Sequence, residues 1–200
     1  MKRLVLAPNW LGDCVMALPF LEAIKRDDPG RSTTVLCRPA HAPLFRLSPA
    51  VDRVVPAAPG LALFREARRL ARERFDEAFV LPHSFRSAAA AYLTGARRRA
   101  GYAGEGRGFL LTDTPERPAL TRHQLQDDDA LLAAFGIAPN PDPPRIAPAP
   151  DALSRMERLL VAEQLRDPPT GTGPVMLAPG GAFGPTKRWP GSVLRSWPTP

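Results

Sequence analysis

Short apolar runs alternate with amphipathic helical segments along most of this chain, and this alternation restricts the fold more than any other feature. Strand-like runs lie at residues 3–7, 32–39, 51–55, 76–82 and 97–103. Helical spacing of apolar residues occurs at 11–26, 61–75, 84–96 and 123–137. Strands that alternate with helices across short turns form parallel βαβ units. We therefore predict an α/β fold with a parallel sheet over residues 1 to about 135.

Three residues should shape the helices. Pro19 removes one helical hydrogen bond and should kink the helix over 11–26. Gly95 and Gly136 follow apolar helical runs, where glycine commonly ends a helix.

A proline-rich stretch, APNPDPPRIAPAP at 138–150, divides the chain. This composition is typical of an extended connector. We predict an N-terminal domain over 1–137, the connector over 138–150, and the beginning of a second domain over 151–200. The second domain should open with a helix over 151–165 and a strand over 174–178.

The turn after the first strand, NWLGD, places a single carboxylate, Asp13, at the start of a helix. An acid at this position often only caps the free N–H groups of the first turn. The functional alternative is a general base, because ligands of parallel sheets bind beyond the carboxyl ends of the strands. Gly12 beside it would let a substrate approach the backbone closely. Local chemistry alone leaves both interpretations open.

A glycine-rich loop, PGGAFGPTKRWP at 179–190, follows the predicted strand at 174–178. The backbone N–H groups of Gly180 and Gly181 suit an anion, and Thr186 and Lys187 add a hydroxyl and a positive charge. This combination favours a diphosphate site, whereas the alternative is a plain turn with a basic surface pair. The loop is not a Walker motif, and the first turn lacks the GxGxxG pattern of dinucleotide sites.

The chain is basic, with a net charge of +7, which suits an anionic partner or arginine-rich solvated faces. The densest run is Arg97 to Arg99, with Arg86 upstream and Arg107 downstream. It indicates either solvated arginines or a surface for a phosphorylated or carboxylated acceptor. Nucleic acid is disfavoured as a partner, because no helix-turn-helix, zinc or RNP pattern accompanies the charge.

The remaining reactive residues give weaker signals. Cys14 and Cys37 lack metal-ligand spacing and each lies in an apolar run, which favours buried free thiols in a reducing cytosol. His83 and His123 are isolated, and no Ser-His-Asp set is discernible. No signal peptide or membrane span is found, so we expect a cytoplasmic location, with contact to a membrane only from that side.

Three stretches together resemble a known family. These are LAPNWLGDCVMALPFLEAIK, VLPHSFRSAAAAYLTGARRRAGY and LAPGGAFGPTKRWP, which lie in order between residues 6 and 190. They are similar to the lipopolysaccharide heptosyltransferases of glycosyltransferase family 9, and the fit is best to the heptosyltransferase II branch. The resemblance implies a GT-B fold, in which an acceptor-side and a donor-side Rossmann-like domain face a cleft.

The resemblance also implies roles for individual residues. Asp13 is similar to the catalytic base, and Lys187 to the lysine near the donor phosphates, with Gly180, Gly181 and Thr186 beside it. The acceptor side would comprise Asn9, Trp10, Gly12, His83, Ser84 and Arg86. His83 stands where the family usually has Asn.

By the same resemblance, the substrates are ADP-L-glycero-D-manno-heptose and the inner core of lipopolysaccharide on lipid A. The protein would work at the cytoplasmic face of the inner membrane as a peripheral protein. No DxD metal motif is visible in the sequence, so we expect no obligatory metal or other cofactor.

Length is the main departure from the family, whose members run to well over 300 residues. After KRWP the chain has ten more residues, and the later nucleotide site of the family is missing. We therefore expect a C-terminally truncated enzyme that does not transfer heptose at a useful rate as written. The alternative is a non-catalytic fragment that binds the acceptor or an anionic membrane surface through its basic face.

Overall fold

The structure is a computed structural model that describes residues 1–116, 124–144 and 146–163. The chain separates into two compact units, Met1–Pro148 and Ala149–Pro200. The first unit is an α/β domain, as predicted. The second is described only through its first helix.

A parallel sheet forms the centre of the first unit. Its strands are β1 (Lys2–Leu6), β2 (Ser32–Cys37), β3 (Arg53–Pro56), β4 (Glu77–Val80) and β5 (Arg98–Ala100). They lie in the order β3-β2-β1-β4-β5, and each neighbouring pair is parallel. Since β1 is central, its carboxyl end lies between those of β2 and β4. The predicted parallel α/β fold is confirmed.

Helices cover both faces of the sheet. They are α1 (Leu11–Met16), α2 (Leu18–Asp27), α3 (Ala42–Arg46), α4 (Leu61–Leu70), α5 (Phe85–Leu93) and α6 (Gln124–Ala133), with short 3-10 turns at Pro39–His41, Ala71–Glu73 and Gly108–Leu110. One apolar cluster joins α1, α2, α3 and α6 to the sheet, and another joins α4 and α5 to its opposite face. This two-sided arrangement explains why the strands read as continuous apolar runs.

Aromatic rings fill the larger of these clusters. The Phe79 ring on β4 lies edge-on to Phe20 at 5.3 Å and to Phe135 at 5.0 Å between ring centroids. Edge-to-face pairs of this kind stabilise a core beyond the area that they bury. The contacts tie α2 and the residues after α6 to the central strands, and thereby fix the helices that border the site.

Several predicted elements differ in their limits, and two of the differences have a clear cause. The helix predicted over 11–26 is two helices, separated at Ala17, because Pro19 has no amide to donate and its ring crowds the preceding turn. The strand predicted from Val51 begins at Arg53, since the Val51 amide donates to the Ser48 carbonyl in a turn. Gly95 and Gly136 adopt φ angles of 68° and 70°, which confirms them as helix-ending residues.

The described part of the second unit is helix α7 (Pro150–Ala162). It begins one residue before the predicted start. Exposed apolar side chains recur along it, at Leu153, Met156 and Leu159. The strand predicted over 174–178 lies outside the described residues, and the predicted domain limits remain predictions.

Candidate functional site

Asp13 is the third residue of α1, directly beyond the carboxyl end of β1. Its side chain is half-buried, and its carboxylate accepts no hydrogen bond from the described residues. The α1 N-cap is Trp10, which provides no side-chain cap. A carboxylate that serves only as a cap would accept a backbone N–H, so the observed geometry leaves the Asp13 oxygens available to a ligand.

An open pocket of about 240 Å³ lies in front of Asp13. Its walls come from the β1–α1 turn, the β4–α5 turn and the start of α6: Pro8, Asn9, Trp10, Asp13, Leu81, Pro82, His83 and Gln124. Parallel neighbouring strands bring the first two turns to one edge of the sheet. The predictions that Asp13 lies near solvent at this edge, and that the loop after β4 shares it, are confirmed.

Gly12 precedes Asp13 at an exposed position. A Cβ atom added there would meet no heavy atom within 4 Å. Packing therefore does not require glycine at this position, and the open space leaves the first turn of α1 accessible to a large ligand.

The loop that carries His83 is held from below by a buried arginine. Arg107 is 1% exposed, and its guanidinium donates to the carbonyl oxygens of Pro82, Ser84 and Tyr102. The His83 ring stacks on Tyr102 with 5.9 Å between centroids. The Tyr102 hydroxyl in turn donates to the Asp127 carbonyl of α6. These contacts fix the histidine beside the pocket.

A second, smaller cleft of about 110 Å³ adjoins the pocket at the same edge. Asn9 lines both cavities, and Arg38, Ser84 and Arg86 line only the second. The Arg38 side chain donates to the Asn9 amide oxygen at 3.1 Å. Ser84 caps α5, because its hydroxyl accepts from the Ser87 amide at 3.3 Å. Ser84 and Arg86 therefore line a different cavity from Asp13. Asn9 lines both cavities and connects them.

Two residues of α6 complete the site and were not predicted. Gln124 lines the pocket and donates through Nε2 to Asp128 Oδ1 at 3.2 Å. Burial raises the pKa of Asp128 to about 7. The hydrogen bond from Gln124 lowers this pKa, whereas the nearby negative charges of Asp127, Asp129 and Asp13 raise it further. The acidic run QDDD resembles a solvated helix face, so the sequence carries no signal that two of its acids, Asp127 and Asp128, are buried.

The cysteines are free and buried, as predicted. Burial is the first cause that raises the pKa of Cys14 to about 12 and that of Cys37 to about 11. Cys14 Sγ lies 3.2 Å from the Pro8 carbonyl oxygen and 3.4 Å from His41 Nδ1. Neither thiol is a candidate nucleophile, because the thiolate is the reactive form.

Two arginines of the run at 97–99 contact other parts of the domain. Arg98 pairs with Asp113 at 2.8 Å, and Arg99 donates to the backbone carbonyls of Leu110 and Ala96. Arg98 also begins β5, at the edge of the sheet opposite Asp13. Together with the buried Arg107, these arginines are structural, and only Arg86 of the wider set faces the clefts.

The predicted donor-side residues Gly180, Gly181, Thr186 and Lys187 lie outside the described residues. Within residues 1–116, 124–144 and 146–163, no group of three His, Cys, Asp or Glu side chains could hold a metal ion. In the same ranges, no helix is long and apolar enough to cross a membrane.

Curated relatives extend along almost the whole chain. It is 29% identical over 201 residues to lipooligosaccharide heptosyltransferase 2 of Haemophilus ducreyi and 28% identical over 204 residues to lipopolysaccharide heptosyltransferase 2 of Escherichia coli. Each match covers 95% of this chain and 57% of the relative. The chain therefore spans a little over half the length of these relatives.

Solved structures give the same picture. Escherichia coli ADP-heptose lipopolysaccharide heptosyltransferase II superposes with a TM-score of 0.68 at 25% identity, over 95% of this chain and 58% of the other. A family 9 glycosyl transferase from Veillonella parvula superposes with a TM-score of 0.74 at 17% identity, over 83% and 50% of the two chains. The second likeness concerns the fold alone.

The family model for glycosyltransferase family 9 (heptosyltransferase) matches residues 63–195. The match takes in most of the chain, including the β4–α5 turn that borders the pocket. Together with the parallel sheet and the relatives above, it shows that this chain belongs to glycosyltransferase family 9, the heptosyltransferase family.

Proposed function

We propose that this protein is an inverting heptosyltransferase, which transfers L-glycero-D-manno-heptose from ADP-heptose to the inner core of lipopolysaccharide. The observation that carries the proposal is the position of Asp13. Its unpaired carboxylate faces a pocket that two neighbouring βα turns and α6 enclose at the ligand-binding edge of the sheet. The sugar and the acceptor class come from the relatives, which are lipopolysaccharide and lipooligosaccharide heptosyltransferases.

In the proposed reaction, Asp13 removes a proton from a heptose hydroxyl of the acceptor. A lone pair of electrons on the deprotonated acceptor oxygen attacks the anomeric carbon of the donor, and the bond from that carbon to the ADP oxygen breaks. One displacement inverts the anomeric centre and needs no covalent intermediate. A base on a short helix that follows a buried strand is held in position, which this single step requires.

The ADP leaving group takes up negative charge as it departs. We assign its stabilisation to Lys187, Thr186 and the backbone N–H groups of Gly180 and Gly181, on the residue types of the 179–190 loop. This assignment needs no metal ion. It remains a prediction, because these residues lie outside the described part of the chain.

The acceptor side of the proposal uses the two adjoining cavities. His83, Trp10 and Asn9 would contact the sugar that reacts, since they share the pocket with Asp13. Arg86 and Ser84 would contact the next, anionic part of the inner core, because they line the neighbouring cleft. An acceptor that carries lipid A implies work at the cytoplasmic face of the inner membrane.

The test is transfer of radiolabel from ADP-heptose to a heptose-bearing inner-core acceptor by this chain joined to a complete donor domain, because the 200 residues as written are not expected to transfer heptose at a useful rate. General-base catalysis contributes about 10²–10⁴-fold to turnover. Asp13→Asn should therefore reduce turnover by about that factor, with a small change in the acceptor concentration at half-maximal rate. Asp129→Asn, an acid on α6 outside the pocket lining, is the matched control and should keep turnover. Near-normal turnover in Asp13→Asn would refute the base assignment.

Acceptor binding is a separate measurement on the same protein. Titration of the inner-core oligosaccharide should perturb the resonances of His83 and Trp10, and Arg86→Ala should weaken the binding. Binding that leaves those resonances unchanged would move the acceptor site away from this edge.

A further inference from the structure

The outer surface of α4 and α5 combines exposed apolar and basic side chains in a way that the proposed reaction does not use. This surface, here the α4–α5 face, is defined by Leu61, Arg65, Arg68, Phe85, Tyr92 and Phe109. Leu61 is 82% exposed and Phe109 74% exposed, which are high values for large apolar side chains. Such clustered exposure marks an interaction surface.

Helix α5 is the more unusual of the two helices. Its sequence, FRSAAAAYL, has one charged residue, Arg86, and its buried side consists mostly of alanines. The outward positions Phe85 and Tyr92 are seven residues apart and therefore share one side of the helix. A surface helix normally turns charged residues outward, whereas α5 exposes two aromatic rings and one arginine, and such a mixture suits a partner.

Helix α4 supplies the positive charge beside this apolar side. Leu61, Arg65 and Arg68 are spaced by four and three residues, so they form one exposed stripe. Neither Arg65 nor Arg68 forms an ion pair with any described residue. A shallow groove between the helices joins this stripe to Phe64 and Leu93. Arginine stems can lie along such a groove while the guanidinium groups reach outward.

We propose that the α4–α5 face docks on an anionic lipid bilayer. Apolar side chains that enter the interface and arginines that meet anionic headgroups are the two contributions that hold a surface helix on a membrane. A second copy of the chain fits less well, because a symmetric contact would bring the arginines of both copies into one interface without acidic partners on this face.

The α4–α5 face extends to the loop that borders the Asp13 pocket. Phe85 begins α5, two residues after His83, and its ring lies 6.2 Å from that of Phe109. The apolar face therefore reaches the edge of the sheet that carries the Asp13 pocket. Docking there would bring a lipid-anchored acceptor to the pocket, and in this respect the inference rests on the proposed function.

The test is flotation of the purified protein with vesicles that contain no lipopolysaccharide. Phosphatidylcholine vesicles with about a third phosphatidylglycerol should bind the protein, and pure phosphatidylcholine vesicles should not. Each arginine near an anionic surface changes partitioning about fivefold. Arg65→Ser with Arg68→Ser should therefore weaken binding by about 25-fold, and Leu61→Ser with Phe109→Ser at least tenfold.

The matched control removes the same charge from other surfaces. Arg46 on α3 and Arg97 before β5 are exposed, and Arg46→Ser with Arg97→Ser should weaken binding several-fold less than the α4 pair. Equal losses in the two arginine pairs would overturn the proposal, and so would equal binding to neutral vesicles. It would also be overturned if the protein did not bind vesicles but bound an oligonucleotide or formed a dimer through this face. Asp13→Asn should bind vesicles like the unchanged protein, so failure of the docking and failure of the proposed reaction are distinguishable.

Discussion

Charged side chains are paired at one end of the strands of the central sheet and unpaired, among the described residues, at the other. These two ends are called here the amino edge and the carboxyl edge. At the amino ends of the strands, Arg3 is 2% exposed and pairs with Asp27 and Glu77, and Glu77 also pairs with Arg31. At the carboxyl ends, Asp13 and Arg86 form no ion pair with any described residue. The charged side chains at the amino ends of the strands pair with one another, whereas Asp13 and Arg86 at the carboxyl ends line open cavities.

This contrast separates stability from recognition within one small domain. These ion pairs hold different elements together, because their partners come from β1, β4, the end of α2 and the turn before β2. The open edge needs no such pairing, since its loops are held by backbone carbonyl contacts and by helix packing. Substitutions at the two edges should therefore have different consequences, and the following predictions run from the largest expected effect on stability to the smallest.

Arg3→Met should give the largest loss of stability. The substitution removes the buried partner of the Glu77 and Asp27 carboxylates, and breaking a buried pair typically costs about 3–5 kcal/mol. We expect the low end of that range, because Glu77 keeps its pair with Arg31 and Asp27 is partly exposed. Chemical denaturation measures the change. Arg53→Ala at the same edge is the control, because its pair with Glu73 is largely exposed and should contribute less than about 1 kcal/mol. Similar losses in both variants would show that burial does not distinguish the pairs.

Asp128→Asn should change how stability depends on pH. A raised folded-state pKa means that the native protein holds a proton that the unfolded chain has lost, so stability falls as the pH rises from about 4 to about 7. A shift of this size corresponds to as much as about 4 kcal/mol. The variant should lose that decline and be the more stable protein at pH 8, as measured by thermal unfolding.

The neighbour Asp129 is the control for this window. Its carboxyl is less buried, and burial raises its pKa by less. Asp129→Asn should therefore follow the unchanged protein more closely. A profile for Asp128→Asn that still declines between pH 4 and pH 7 would assign the decline to other groups.

Arg107→Met should destabilise the domain by about 2–3 kcal/mol, because charged hydrogen bonds to three carbonyl groups are lost. The loss should also release the loop at 82–84 and weaken acceptor binding. Arg86→Met, at the start of α5 and exposed, should weaken binding with little change in stability. Unchanged acceptor affinity in Arg107→Met would show that acceptor binding does not depend on the contacts between Arg107 and the loop at 82–84.

Asp13→Asn should change the free energy of unfolding by less than about 0.5 kcal/mol, because its carboxylate has no hydrogen-bond or ion-pair partner among the residues that the structure describes. Combined with the expected loss of turnover, this is the sharpest statement of the contrast between the edges. Urea unfolding of the same preparation used in the transfer assay gives both values. A loss above about 1 kcal/mol would instead favour the capping role of this residue.

The sequence predicted the features that depend on local pattern. Parallel strands, the break near Pro19 and the helix ends at Gly95 and Gly136 follow from periodicity and from the backbone properties of proline and glycine. The shared edge of Asp13 and His83 also followed, because parallel topology brings the ends of neighbouring strands together.

Pairing between distant residues could not be predicted in this way. The run at 97–99 read as a basic surface, yet Arg98 meets Asp113 and Arg99 meets the Leu110 carbonyl. Gln124 reaches the pocket only through the packing of α6 on α1 and α2. Such contacts depend on tertiary geometry, which a single sequence with no strong periodic signal does not specify.

The clamp by Arg107 has a consequence for how acceptor preference can change. The guanidinium holds the loop at 82–84 through main-chain carbonyls, so we expect the loop to keep its shape when the side chain at position 83 is changed. New residues can be exchanged there without rebuilding the backbone. Position 83 is thus a natural site for divergence, and a mutant library restricted to it would sample new acceptors on an unchanged scaffold.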